Sequence, residues 1–202
     1  MERKKVCVVE TAYGYVGFSW TPKGINGVTL PCANPPEALV QLERYTRGKS
    51  LGAELLPPEP GEPAHGLGEA LRDYFDGGNP HLAGFPIDYS AHSSFRTRVL
   101  QVVRNIPYGT VLSYGHVAAL AGNPKACRAV GSAMSCNGTL YLVPCHRVIK
   151  SDGFLGGFGS GIEWKCMLLK MEGIAVDSRG KIVNPHACCP PDQNMIKYDS
   201  VR

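Results

Sequence analysis

Two absences narrow this sequence before any motif is read. It has no run near the roughly 18 apolar residues that a membrane-spanning helix needs. Residues 1–25 contain no long apolar stretch of the secretory kind, because polar residues and glycines interrupt Val6 to Trp20. The expectation is a soluble, intracellular protein with no membrane partner. No C-x-x-C pair occurs, which argues against zinc ribbons and thioredoxin-like motifs. No internal repeat stands out, and no strong basic localisation run is visible.

Cysteine itself is plentiful. Cys7, Cys32, Cys127, Cys136, Cys145, Cys166, Cys188 and Cys189 would suit disulfides in number. Nothing else points to secretion, and 202 residues with 44% hydrophobic content can bury a core without staples. Reduced thiols are the better reading.

The net charge of +4 hides an asymmetry. Residues 1–90 carry 8 Lys/Arg against 11 Asp/Glu, residues 91–172 carry 9 against 3, and residues 173–202 carry 4 against 3. A basic half joined to an acidic half hints at an anionic partner such as nucleic acid, although many basic surfaces serve only solubility.

Along the chain, "KKVCVVETA", "GYVGFSWT" and "GINGVTLP" are β-rich runs between turn residues, a meander-like signature with "NGV" as a hairpin turn. "PPEALVQLERYTRG" follows as a helix with Ala38, Leu39, Leu42 and Tyr45 at helical spacing. "LGAELLPPEPGEPAHG" reads as a linker and "GLGEALRDYFDGG" as a short helix. From Ser94 the pattern turns helical, with Phe95, Val99, Val102 and Val103 on one face. The fold class is α+β, with a small antiparallel sheet and helix in residues 1–90, a mostly helical 91–173, and a loosely ordered tail at 174–202.

"SYGHVAALAG" has Ser113 as N-cap and Gly122 past its end; "NPKACRAVGSAMS" opens with a cap residue and a proline. Together they make a helix-turn-helix candidate. In a helix over 124–135, Ala126, Val130, Ala133 and Met134 fall inward, leaving Cys127, Arg128, Gly131 and Ser135 outside. Glycine inside a helix costs about 1 kcal/mol against alanine, so another surface approaches Gly131 closely. Helix-on-helix packing would serve as well as DNA. Beside a basic half-chain, DNA is the better partner, and small residues with one long cation suit shape-based or minor-groove contact.

"LVPCHRVIK", Leu142 to Lys150, sets a thiol beside an imidazole and a guanidinium. A cysteine attacks as thiolate and needs a base or a positive field. His146, Arg147 and Lys150 are near in sequence, Glu172 could orient an imidazole, Asn137 could pin the turn, and the glycine-rich loop at 153–161 could wall a pocket. A cysteine in an apolar run is more often an inert core residue. Adjacent residues also point apart in an extended segment, so spacing leaves both readings open.

"PCHRV" at 144–148 resembles the active-site motif of the O6-alkylguanine-DNA alkyltransferases. "SYGHVAALAGNPKACRAVGSAMSCN" at 113–137 is similar to that family's helix-turn-helix and asparagine hinge, "GFLGGFGSG" to its active-site loop, and "MEG" to its terminal Glu segment. The likeness covers roughly 95–173. It implies repair of double-stranded DNA containing O6-alkylguanine, bound through the minor groove by a nuclear monomer. The alkyl group moves to Cys145 in a single-turnover displacement after nucleotide flipping.

The resemblance assigns roles by position. His146 would act as water-mediated base, Glu172 would hold it, Asn137 would brace the turn, and Tyr114 would donate a hydrogen bond to the departing guanine. Arg128 would fill the space of the extruded nucleotide, with Ala126, Cys127, Ala129, Gly131 and Ser151 on the DNA. Met134, Val148, Gly156, Phe158 and Gly159 would line the base pocket.

Phe158, Gly159 and Cys127 depart from the family's common tyrosine, serine and alanine. Some animal members bind zinc through two cysteines and two histidines. Cys7 would match one ligand, but "SWTPKGIN" lacks the second cysteine and the histidine, so no metal or cofactor is expected. The rivals are a non-enzymatic alkyltransferase-like lesion binder, against which Cys145 argues, a cysteine hydrolase, and a plain DNA-binding regulator.

Overall fold

The computed structural model describes residues 5–46 and 54–183. It contains two compact units. One runs to Ala91 and takes in Asn137–Leu142; the other comprises His92–Cys136 and the chain from Val143.

The first unit is built on a sheet. Strands β1 (Lys5–Thr11), β2 (Gly14–Thr21) and β3 (Gly24–Val28) form an antiparallel meander. The pairs Thr11↔Gly14 and Thr21↔Gly24 leave Ala12–Tyr13 and Pro22–Lys23 as the two turns. The expected turn at "NGV" is corrected. Asn26 and Gly27 lie inside β3 opposite a register shift at Ser19/Trp20, and the Ser19 hydroxyl donates to Asn26 Oδ1. Gly27 is required by packing rather than by a bend, because a Cβ there would come within 2.8 Å of Leu42 and Thr46 side-chain atoms.

Those contacts come from helix α1 (Pro35–Thr46), whose Ala38 and Leu42 are buried. The Asn34 side chain caps its start by accepting the Glu37 N–H at 3.0 Å. The expected linker is partly sheet, since β4 (Glu54–Leu55) adds to β1 in parallel and gives the order β3-β2-β1-β4. Helix α2 (Leu67–Phe75) packs on β1 through Gly68, where a Cβ would lie 2.8 Å from Val9. Tyr141, at φ 67°, sets its ring tilted against Tyr74 and edge-on to Phe75.

The second unit begins with helix α3 (Ser94–Arg104), capped by the Ser93 hydroxyl, with Val99, Leu100, Val102 and Val103 inside. Strand β5 (Leu112–Ser113) leads into helix α4 (Tyr114–Leu120). Ser113 caps α4 by accepting the His116 N–H at 3.2 Å, and Gly122 follows it at φ 83°.

Helix α5 (Cys127–Ser135) starts later than expected. The Ala126 N–H closes a turn onto the Asn123 carbonyl, so 124–126 form that turn and Ala126 is the N-cap. Its inner face is Val130, Ala133 and Met134. Strand β6 (Val148–Ile149) pairs in parallel with β5, and helix α6 (Ile162–Met171) closes the unit.

The tail is corrected in part. Residues 174–183 are folded onto 153–155 through backbone hydrogen bonds, and Ile174 is buried. "HACCPPD" and the cysteines Cys188 and Cys189 lie outside the described residues.

Candidate active site

Cys145 is not in an extended segment. Residues Cys145–Arg147 form one 3-10 turn, closed by the Arg147 N–H donating to the Pro144 carbonyl at 2.9 Å. The turn leads directly into β6, whose pairing Leu112↔Val148 and Ser113↔Ile149 sets it beside the strand that runs into Tyr114. Cys145 is 6% exposed and His146 1%, so both side chains are largely withdrawn from bulk water.

His146 Nε2 lies 2.8 Å from Glu172 Oε1. Glu172 caps the C-terminus of α6 and is itself buried. Arg147 clasps the same carboxylate with two bonds, Nε to Oε2 and Nη2 to Oε1, each 2.8 Å, while its Nη1 donates to the Ile106 carbonyl at 2.6 Å. The Gly109 N–H adds a bond to Oε2 at 3.3 Å. Arg147 thus serves the carboxylate, a role that its place beside the thiol in sequence does not reveal. Its guanidinium carbon also lies 5.8 Å from the Tyr108 ring centre, and the Tyr108 hydroxyl donates to the Met171 carbonyl at 2.9 Å.

Burial alone would raise the Glu172 carboxyl, but the charges and hydrogen bonds of His146 and Arg147 outweigh it and hold the group far below the ordinary carboxylate range. Burial pushes His146 down, against the pull of Glu172, and Arg147 adds to the lowering. The imidazole is therefore neutral at physiological pH. It donates Nε2–H to a fixed carboxylate and keeps Nδ1 free to take a proton.

Lys165 is fully buried on α6 and donates to the carbonyls of Val148 at 2.6 Å and Leu155 at 2.5 Å. Burial lowers it to about 8, while the neighbouring charge of Cys145 works in the opposite direction. Burial raises the Tyr114 hydroxyl, and the Cys145 charge raises it further. Both groups therefore sit within the electrostatic reach of the thiol.

The glycine-rich loop passes Tyr114. A Cβ on Gly156, at φ 70°, would stand 3.2 Å from the Tyr114 ring, and the Tyr114 hydroxyl is 3.5 Å from the Gly157 carbonyl. Phe158 is half-buried and Gly159 exposed; Met134 and Val148 are buried. In the first unit, the Asn137 Oδ1 accepts the backbone N–H and the hydroxyl of Thr139, each at 3.1 Å, closing a local turn.

Cys127, Arg128 and Ala129 are exposed, and among the described residues a Cβ on Gly131 would meet nothing within 4 Å beyond its chain neighbours and its own helix backbone. Ala126, expected on the inner face, is instead the half-buried N-cap, because the helix starts one residue after it. Ser151 is exposed.

Zinc fits poorly. Among the described residues no group of three or more His, Cys, Asp or Glu side chains could hold a metal ion. Cys7 lines a cleft of about 460 Å³ whose other walls include Val9, Phe18, Leu56, His65 and Arg72.

A family model described as 6-O-methylguanine DNA methyltransferase, DNA binding domain, matches residues 94–174. The methylated-DNA–protein-cysteine methyltransferase of Methanothermobacter thermautotrophicus is 31% identical over 164 residues, 81% of this chain and 82% of that one. The Rattus norvegicus protein of that name is 36% identical over 185 residues, 85% and 83% of the two chains. The chain belongs to the methylated-DNA–protein-cysteine methyltransferase family.

Solved methyltransferases agree. The O6-methylguanine-DNA methyltransferase of the archaeon Pyrococcus kodakaraensis matches with a TM-score of 0.62 at 25% identity, covering 84% of this chain and 99% of that one. The Mycobacterium tuberculosis OGT solved in complex with DNA matches with a TM-score of 0.60 at 27% identity, covering 84% and 93%.

In this methyltransferase, Lys165, Tyr108 and Gly109 also belong to the site and stand outside the motifs that mark it in the sequence. A signal for Lys165 was available. Lys165, Leu168, Leu169 and Glu172 share one helical face, so a lysine stands on the stripe that two leucines mark as buried. Gly109 contributes a backbone N–H, which carries no signature of its own.

Proposed function

We propose that the protein repairs duplex DNA by moving an alkyl group from guanine O6 to its own Cys145, once per molecule. The observation that carries this reading is a cysteine opening a one-turn helix whose next residue is a buried neutral imidazole bound to a buried carboxylate. Such an imidazole can take the thiol proton through a water molecule, leaving a thiolate.

In the displacement the Cys145 sulfur forms a bond to the alkyl carbon as the carbon–O6 bond breaks. That electron pair stays on the purine, and Tyr114 donates a hydrogen bond to the developing anion until the purine takes up the proton that the imidazole drew from the thiol. The product thioether has no easy route back to a thiol. The displacement as written needs neither metal nor organic cofactor.

A guanine in a duplex hides its O6 in the stack, so the nucleotide must be extruded. Helices α4 and α5 act as a helix-turn-helix in the minor groove, with the small face of α5 against the DNA and Arg128 in the vacated stack. On this reading the working form is a nuclear monomer. Non-enzymatic lesion binding is the alternative, and Cys145 argues against it.

The test is Cys145→Ala with duplex containing O6-methylguanine. Transfer should vanish while duplex affinity stays. Affinity lost along with transfer, in a folded variant, would make Cys145 part of a binding surface instead.

A further inference from the structure

The chain after Glu172 returns to the site. Ile174 packs with Val111, Ile149, Leu155 and Leu169, and Val176 and Ile182 lie against the same cluster. Asp177 then turns the chain, its Oδ1 accepting the N–H groups of Arg179 and Lys181, each at 2.9 Å. Gly180 adopts φ 77°, a conformation open to glycine at little cost.

The returning limb is stitched to residues 153–155. The Leu155 N–H donates to the Gly180 carbonyl and the Ile182 N–H to the Gly153 carbonyl, both at 3.0 Å. Phe154 and Lys181 face one another as antiparallel partners, with the Lys181 ammonium 5.7 Å from the Phe154 ring centre. A Cβ on Gly153 would stand 3.3 Å from Lys181 Cε.

Leu155 is the point from which the glycine-rich loop departs. Its N–H is held by Gly180, its carbonyl by Lys165 Nζ, and its side chain by the cluster. Beyond it come Gly156 and Gly157, then Phe158 and Gly159. A glycine-rich loop imposes little conformation on itself, so its position comes from its anchors.

We propose that residues 174–183 are a β-clamp that fixes Leu155 and thereby positions the 156–160 loop against the guanine base. This rests on the alkyl-transfer reading and deepens it. The clamp touches no reacting atom. It sets the wall of the pocket, and a displacement of about 1 Å in such a wall costs on the order of a hundredfold in rate.

Three variants test it. Ile182→Pro deletes the N–H that Gly153 accepts. Asp177→Ala removes the turn acceptor, and Asp177→Asn keeps it. The readouts are hydrogen exchange at the Leu155 N–H, the saturating single-turnover transfer rate on O6-methylguanine duplex, and duplex affinity. Ile182→Pro and Asp177→Ala should speed that exchange, lower the rate by about tenfold or more, and leave affinity unchanged. Asp177→Asn should restore both exchange and rate.

Faster exchange with a wild-type rate would overturn the clamp, as would exchange unchanged in both disrupting variants, or affinity falling in step with rate. The wild-type chain separates this proposal from the reading beneath it. A wild type that transfers no methyl sinks the alkyl-transfer reading and the clamp with it; a wild type that transfers, with indifferent variants, sinks the clamp alone.

Discussion

His146 Nε2 lies 2.8 Å from Glu172 Oε1, and both side chains are almost wholly withdrawn from solvent. The bond selects a tautomer, because the nitrogen that donates to the carboxylate cannot also take the thiol proton. Both oxygens of the carboxylate are in turn held by the Nε–Nη2 edge of Arg147. Burying three ionisable groups is tolerable only while all are paired.

Glu172→Gln should therefore fail twice. It frees the imidazole to choose the wrong tautomer and strands the Arg147 guanidinium. Removing one partner of a buried pair costs about 3–5 kcal/mol, which urea denaturation would read, and alkyl transfer should be lost even where the variant stays folded. A variant of wild-type stability would contradict the clasp.

Lys165 makes a pH prediction. The ammonium titrates near 10.5 in the unfolded chain and at about 8 in the fold. Between those values the unfolded chain holds a proton that the folded chain has released, so this group makes stability rise with pH across the window. Its burial penalty is complete below about pH 8 and relieved by about 10.5, a swing of about 3 kcal/mol. Urea titrations of wild type and Lys165→Met should diverge accordingly as pH increases, the wild type gaining. A difference flat in pH would mean that Lys165 keeps its proton.

Gly131 separates folding from DNA contact. Among the described residues a Cβ there meets nothing beyond its chain neighbours and its own helix backbone, and alanine is worth up to about 1 kcal/mol over glycine in a helix interior. Gly131→Ala should hold or raise thermal stability, and Gly131→Leu should fold yet bind duplex DNA more weakly. A Leu variant with unchanged affinity would take the outer face of α5 off the DNA.

Arg128→Ala tests the finger. The variant should lose far more rate on duplex than on free O6-methylguanine base, because only the duplex needs a stack filled. Equal losses on both substrates would rule the role out.

Much of this was legible in the sequence where the signal is local. Ser113 and Gly122 bracket α4 as their residue types demand, and Val130, Ala133 and Met134 keep α5's inner face. What escaped depends on partners distant in sequence. Asn-Gly at 26–27 has the chemistry of a turn, but α1 packs so closely on Gly27 that the pair stays in a strand. Proline and glutamate mark 51–66 as linker, yet β1 offers a free edge and Glu54–Leu55 take it. Residues 174–183 lack periodicity, and their order comes from Leu155 and the cluster around it. At the site, the pairing of His146 with Glu172 was readable from residue type, whereas Arg147's service to Glu172 required the turn at 145–147 to swing the guanidinium onto it.

The most direct measurement is intact-protein mass spectrometry, with peptide mapping, after mixing the protein with duplex containing O6-methylguanine. The expected result is a gain of one methyl group per chain, carried on the peptide that holds Cys145 and saturating there however much substrate is added. Tight binding to the lesion with no change in mass, or a methyl group mapped to another cysteine such as Cys127, would contradict it.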